Sequence, residues 1–307
     1  MPPNETDLRF DRDFEARVGE MVPVADGVAR VTAPNASPYT FTGTNTYLIG
    51  QNELLVVDPG PESGVHLDAV LAAIADRPVT GILLTHTHKD HSPLAPALAE
   101  RTGAPILSGG RHQLSRPRRL FEIDPVAASC DWAHRPHRTL SDGELVAGDG
   151  LTLMAVATPG HCRNHLGFGI VGAPYLLTGD HVMGWNSTLV SVPDGSMADY
   201  LKSLDKVIEG DWPVFLPAHA GPIADGRGYA RALRAHRELR NRQIVAAVKD
   251  GANSLGRIVA KVYPQMNTKL AIAARMTTKA HVEYLADKGL LFSRGGRVLF
   301  ADRRAPK

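Results

Sequence analysis

The 307-residue sequence predicts an α/β (α+β) chain whose chemistry sits at strand ends. Short apolar runs rich in Val, Ile and Leu alternate with stretches of helical periodicity. Four of those runs break at a turn and deliver a histidine or an aspartate. Residues 227–307 change rhythm to three helical stretches and a hairpin, which predicts an appended unit behind a body of residues 1–226.

In chain order, Val28-Ala29-Arg30-Val31 reads as a strand and Pro34-Asn35-Ala36-Ser37-Pro38 as a turn-rich loop. Thr44-Asn45-Thr46-Tyr47-Leu48-Ile49-Gly50 and residues 53–57 pair as a hairpin through Gly50-Gln51-Asn52. Leu67, Val70, Leu71 and Ile74 then recur with helical spacing, and residues 93–102 form a second helix. A helix start at that point would aim its dipole at the preceding loop and favour anions there.

That preceding loop is the most informative stretch of the chain. Thr85-His86-Thr87-His88-Lys89-Asp90-His91 follows the apolar strand Gly81-Ile82-Leu83-Leu84 and crowds three imidazoles and a carboxylate together. A lone histidine is usually a surface or core residue, but this density at a strand end predicts a metal site. Neutral imidazoles suit Zn, Fe, Mn, Co or Ni, and the carboxylate adds a hard oxygen ligand, so the cluster can hold more than one divalent ion. Further ligands arrive singly: Thr152 to Gly160 delivers His161, Tyr175-Leu176-Leu177-Thr178-Gly179 delivers Asp180, and Val214-Phe215-Leu216-Pro217-Ala218 delivers His219. Strand ends are rigid platforms, and a Gly or Pro before the ligand lets the chain turn sharply.

Composition bounds the class. Forty-three per cent of the residues are hydrophobic, an ordinary globular value, and no run reaches the about 18 consecutive apolar residues of a membrane helix. Residues 1–20 are charged throughout without an apolar signal core, so a cytoplasmic location and no membrane partner are expected. Two cysteines, Cys130 and Cys162, cannot build a disulfide framework.

Charge is divided along the chain. Residues 227–307 hold 18 Lys and Arg against 5 Asp and Glu, a net of +13, whereas the other 226 residues hold 16 against 27, a net of −11. A basic segment of this kind either grips a polyanion such as RNA or docks on the acidic body or on a second copy of the chain, the latter giving a homodimer. On the first reading, a body cut at about residue 226 keeps its metals and its small-ester cleavage. Residues 109–140 break the strand-helix rhythm and are rich in Arg and His. They should form a rim over the site, where Arg116, Arg118 and Arg119 are candidate clamps for phosphate or carboxylate, or else a solvated loop.

The tail reads as helices over about 228–249 and 269–288, with a shorter one capped by Asn253-Ser254 between them. Leu290-Leu291-Phe292 and Arg297-Val298-Leu299-Phe300 then flank the turn Ser293-Arg294-Gly295-Gly296. Three helices and a hairpin resemble a winged helix, with Lys269, Arg275 and Lys279 on its third helix.

Taken together, H-x-H-x-D-H over residues 86–91, T-P-G-H ending at His161, G-D-H ending at His181 and P-A-H-x-G-P around His219 resemble the metallo-β-lactamase superfamily, in order and residue by residue. The resemblance implies an αββα sandwich: two mixed sheets face to face, helices outside, metals at one edge. It also implies two metal positions, one held by His86, His88 and His161, the other by Asp90, His91 and His219, with Asp180 bridging. Zinc is the expected ion, with iron or manganese as alternatives on the same ligand types. Two such ions about 3.5 Å apart would share an acidified water as a bridging hydroxide and polarise the oxygen under attack. Asp90 would orient that hydroxide and is the expected catalytic carboxylate.

The same resemblance reads Asp58 as support for the loop carrying the first histidines. Cys162, where relatives often have Thr, reads as a small residue behind the ligands. His165 and His181 stand close to ligands in sequence, and His181 is a candidate substrate contact. With Gly43-Thr44-Asn45-Thr46-Tyr47-Leu48 and the tail, nearly the whole chain resembles the β-lactamase-like protein 2 branch, hydrolases with a C-terminal winged-helix extension. The expected activity is metal-dependent hydrolysis of an ester, thioester or lactone. An endoribonuclease cutting single-stranded RNA, an activity found in that branch, is the alternative. A nucleic-acid-binding protein with a vestigial site is the third reading, and the full ligand set speaks against it.

Overall fold

The computed structural model describes residues 8–264, 268–294 and 296–301. A seven-stranded sheet runs in chain order through β1 (Met21–Ala25), β2 (Val28–Thr32), β3 (Asn45–Ile49), β4 (Leu54–Val57), β5 (Val79–Leu83), β6 (Ile106–Ser108) and β7 (Arg138–Thr139). Its first four strands are antiparallel and the remainder parallel. A five-stranded sheet follows, made of β8 (Leu145–Ala147), β9 (Thr152–Ala157), β10 (Leu166–Ile170), β11 (Tyr175–Gly179) and β12 (Val214–Pro217). Here β11 and β12 are parallel neighbours, so their ends lie side by side.

The pleat decides which side chain meets which layer. Tyr47, Ile49, Leu55 and Val57 point between the sheets and pack with Leu153, Phe168, Leu177 and Leu216. Leu48, Leu54 and Val56 point outward against helices α1 (Gly64–Ile74) and α2 (Ala95–Thr102). Burial on both faces explains why β4 reads as a continuous apolar run without alternation. Helix α1 starts where Ser63 accepts the His66 amide, and α2 ends where Gly103 takes the left-handed conformation at φ 72°.

The second sheet is covered by α3 (Met197–Glu209) and α4 (Gly226–Lys249). Tyr200, Leu204 and Val207 of α3 pack with Ala230 and Leu233 of α4 onto Leu176 and Phe215. Two sheets between two helical layers make the αββα sandwich, and β1, β6, β7, β8, β10 and α3 add to the elements read from the sequence. After α4 come α5 (Leu255–Val262), α6 (Thr268–Asp287) and the antiparallel pair β13 (Leu291–Arg294) and β14 (Arg297–Phe300). With the end of α4 these share a small core that includes Ile244, Ile258, Leu285 and Val298.

One expectation changes here. The C-terminal segment is not an appendage clear of the body: Ala230, Leu233 and Ala280 belong to the same apolar cluster as the second sheet's outer face. Among the described residues, no helix is long and apolar enough to cross a membrane.

Candidate metal centre

The ligand-bearing loops converge because glycines and a buried aspartate shape the strand ends. Asp58, which ends β4 at φ 50°, accepts from the Thr85 amide at 2.7 Å and from the Thr85 hydroxyl at 2.6 Å, fixing the start of the histidine loop. The Leu166 amide donates to the Thr85 carbonyl at 2.7 Å, tying the two sheets together at this edge. Gly160 has φ 145°, and a Cβ there would lie 2.4 Å from the Tyr200 Cα. At Gly179, φ 51°, a Cβ would lie 2.7 Å from His165 Nε2, so both turns need glycine.

Two ligand groups result. His86 Nε2 lies 3.1 Å, and His161 Nε2 2.8 Å, from His88 Nδ1. Beside them, Asp90 Oδ2 stands 3.2 Å from His91 Nε2 and 3.3 Å from His219 Nε2. Asp180 faces both groups: Oδ1 is 3.2 Å from His219 Nε2 and 3.6 Å from His91 Nε2, while Oδ2 is 3.6 Å from His161 Nε2. The atoms of each group lie within 4.8 Å of one another, close enough to share an ion.

The other nitrogen of each imidazole is already committed. His91 Nδ1 meets Asp58 Oδ2 at 3.0 Å, His161 Nδ1 donates to the Leu189 carbonyl at 2.7 Å, and His219 Nδ1 donates to the Gly43 carbonyl at 3.0 Å. His86 Nδ1 sits 3.0 Å from the Thr85 hydroxyl, and His88 Nε2 is 2.9 Å from Asp194 Oδ2. Such partners fix ring orientation and tautomer, as metal ligands require. In contrast, His91 Nε2, His219 Nε2 and Asp180 Oδ1 are buried, face one another and have no hydrogen-bond partner among the described residues. A cation between them would satisfy all three, so the donor set fits a divalent transition metal.

Electrostatics agree. Burial works against a charged His219, but Asp180 and Asp90 outweigh it and push the ring up to about 10. His91 is likewise raised, with Asp90, Asp180 and Asp58 overcoming burial. His86 and His161 are held low by burial and neighbouring imidazoles. In the metal-free protein, the His219 ring therefore carries a proton where a cation would sit.

Residues 39–219 match the metallo-beta-lactamase superfamily. The chain belongs to that superfamily. It is 28% identical to an atrochrysone carboxyl ACP thioesterase, AgnL7, of Paecilomyces divaricatus, across 76% of this chain and 68% of that protein. It is 26% identical to a beta-lactamase-like protein 2 homolog of Caenorhabditis elegans, across 87% of each. The crystal structure of a metallo-beta-lactamase family protein from Thermus thermophilus superposes with a TM-score of 0.73 at 26% identity, covering 90% of this chain and 99% of that one.

Not every candidate of the sequence lies at this superfamily centre. Arg116 is held by Glu122 at 2.6 Å and by Glu283 of α6 at 2.7 Å, Arg118 by Asp124 at 3.2 Å, and Arg119 by Glu283 at 3.0 Å. None of the three lines the cavity above the metal ligands, so they form a carboxylate knot between the insertion and α6 in place of a rim clamp. Lys279 joins that knot at 2.6 Å from Glu122, and the Lys269 side chain lies outside the described residues. His181 is fully buried against Tyr200, with ring centroids 4.9 Å apart, and does not line the cavity either. His165, by contrast, accepts from the Asp180 amide at 3.2 Å and so supports a ligand.

Asp194 escaped sequence reading. It sits in Val192-Pro193-Asp194-Gly195, which looks like an ordinary turn, yet it is buried between His88 and His112 Nε2, the latter 3.2 Å away. The contacts continue behind it. His112 Nδ1 pairs with the Thr87 hydroxyl at 2.9 Å, Asn164 Nδ2 donates to that hydroxyl at 2.9 Å, and the Cys162 thiol donates to Asn164 Oδ1 at 3.3 Å. No spacing rule links Asp194 to the histidines, so only the fold reveals it.

Proposed function

We propose that this chain is a hydrolase of small acyl thioesters and related esters that holds two divalent transition-metal ions, zinc foremost. The carrying observation is Asp180, whose two oxygens face two separate ligand groups on the floor of a cavity of about 870 Å³. His86, His88 and His161 would hold one ion, Asp90, His91 and His219 the other, with Asp180 shared. When bound, such ions acidify a water and polarise the carbonyl oxygen it attacks. Asp90 lines the cavity beside His91 and His219, where its carboxylate can take the water's proton and pass it to the departing thiol. Asp194 and Asp58 keep the His88 and His91 rings aimed.

The cavity's size suits a small ligand. The relative named as an acyl carrier protein thioesterase supports the thioester class. The RNA reading leaned on the basic tail and on Arg116, Arg118 and Arg119, and the charges of these three are met by carboxylates. In this reading α4, α6 and Tyr263 of the C-terminal segment, whose helices and hairpin are winged-helix-like in their order, serve as a wall of the active-site cavity. The test is turnover by zinc-loaded protein of a panel holding thioesters, lactones, a β-lactam and single-stranded RNA. Chelator-sensitive thioester cleavage is expected to lead. RNA cleavage that follows the protein through stringent purification, with no thioester turnover, would replace this reading with the nuclease.

A further inference from the structure

The cavity's walls differ in chemistry. Among the described residues, the carboxylates that line it are Asp90, Asp180 and Asp194, all beside the metal ligands. Another wall comes from α4, α6 and Tyr263 after α5, and its charged groups among the described residues are Arg237 and Arg240 of α4. These two are three residues apart and so share one face of the helix.

Both guanidiniums are held in place without a counter-ion. Arg237 is 2% exposed, stands 5.1 Å over the Tyr200 ring and donates through Nη2 to the Thr188 carbonyl. Arg240 stands 4.5 Å over the Tyr263 ring and donates through Nη1 to Gln243 Oε1 at 2.7 Å. The Nε of each is buried with no hydrogen-bond partner. Among the described residues neither arginine forms an ion pair, whereas Arg116, Arg118, Arg119, Arg138 and Arg234 all do. An unpaired buried cation is costly and is kept where something else neutralises it. Their neighbour His236 is held down to about 4 by burial and by these two arginines, so it stays neutral and leaves the positive charge to them.

We infer that this wall is an anion subsite, in which Arg237 and Arg240 grip a carboxylate or phosphate that the substrate carries besides its thioester. The inference rests on the thioester reading for the chemistry at the metals, but the subsite stands on the arginines alone. Planar guanidiniums pre-set by aromatic faces suit an oxyanion in an enclosed cavity. The anion has two sources, a carboxylate on the acyl group or a phosphate on the thiol carrier.

Four thioesters separate these sources: acyl groups with and without a terminal carboxylate, each on N-acetylcysteamine and on the phosphate-bearing coenzyme A. Zinc-loaded wild type is expected to prefer thioesters bearing one of the two anions over their counterparts lacking it by at least about tenfold in kcat/KM, and Arg240→Gln to bring that ratio to about one. Arg240→Gln is preferred to changes at Arg237, whose burial under Tyr200 makes it part of the packing. A second readout needs no turnover. Binding of a non-hydrolysable thioether bearing a carboxylate, and of one bearing a phosphate, is measured by calorimetry against their neutral twins. The anionic advantage should vanish in Arg240→Gln. If no thioester is cleaved yet this binding difference holds, the activity reading falls and the subsite survives. An equal preference for anionic ligands in wild type and Arg240→Gln, or none in either, overturns the subsite.

Discussion

Asp194 illustrates how a residue that touches no ion in the proposed centre still governs it. Its carboxylate is held well below the ordinary range because, against burial, it meets His112 and His88, and so it stays an anion that fixes the His88 tautomer. Asp194→Asn is expected to lower metal affinity or kcat by about 10- to 100-fold while leaving the fold intact, because an outer partner aims the ligand without being one. Metal titration with circular dichroism on the same sample checks this, and wild-type affinity in the variant would remove Asp194 from the centre. The histidines make a second prediction. Since His219 is pushed up to about 10, it carries a proton at pH 8 in the metal-free protein and must lose it to ligate, and His91 is shifted in the same direction. Metal binding should therefore release at least about one proton at pH 8. The slope of calorimetric enthalpy against buffer ionisation enthalpy reports that number, and a flat line would contradict it.

At the scale of elements, the knot of Arg116, Glu122, Lys279 and Glu283 joins the insertion to α6. Glu122 is held well below the ordinary glutamate range, with Arg116 as the largest cause, against some burial and with help from the Arg119 amide and Lys279. A depressed carboxyl contributes stability that is complete above its unfolded value, about pH 4.3, and is lost as the pH falls below it. Glu122→Gln is expected to lower Tm at pH 7 and to narrow its deficit toward pH 3, since wild type alone loses this contribution on acidification. A deficit unchanged with pH would show that the knot is not electrostatic.

The same elements show what sequence can and cannot reveal. Strand ends carrying His86 to His91, His161, Asp180 and His219 were legible because ligands and their turns are local in the chain. The role of Arg116 was not, since Glu283, 167 positions away, is brought beside it only by the packing of α6. Likewise Asp194 reaches His88 across 106 positions through the fold alone. Helix α3 carries a clear apolar stripe with Tyr200, Leu204 and Val207 inward, yet only the sandwich shows that Tyr200 backs both Gly160 and Arg237.

For the whole molecule, the C-terminal segment determines both packing and cavity shape. Ala230, Leu233 and Ala280 are buried against the second sheet's outer layer, and Arg237 and Arg240 wall the cavity. Removing residues 227–307 would expose Leu204 and Phe215 together with the rest of that face. Truncation at residue 226 is thus expected to give an aggregating chain without a cooperative thermal transition, contrary to what charge division alone suggests. A soluble body with the full-length Tm and unchanged ester cleavage would refute the shared core. The central claim, two ions on one bridging carboxylate, is tested most directly by elemental mass spectrometry of protein purified with metal present. About two transition-metal ions per chain are expected in wild type, with a clear loss in Asp180→Ala. Wild-type protein with no bound metal, fully active in chelator, would contradict it.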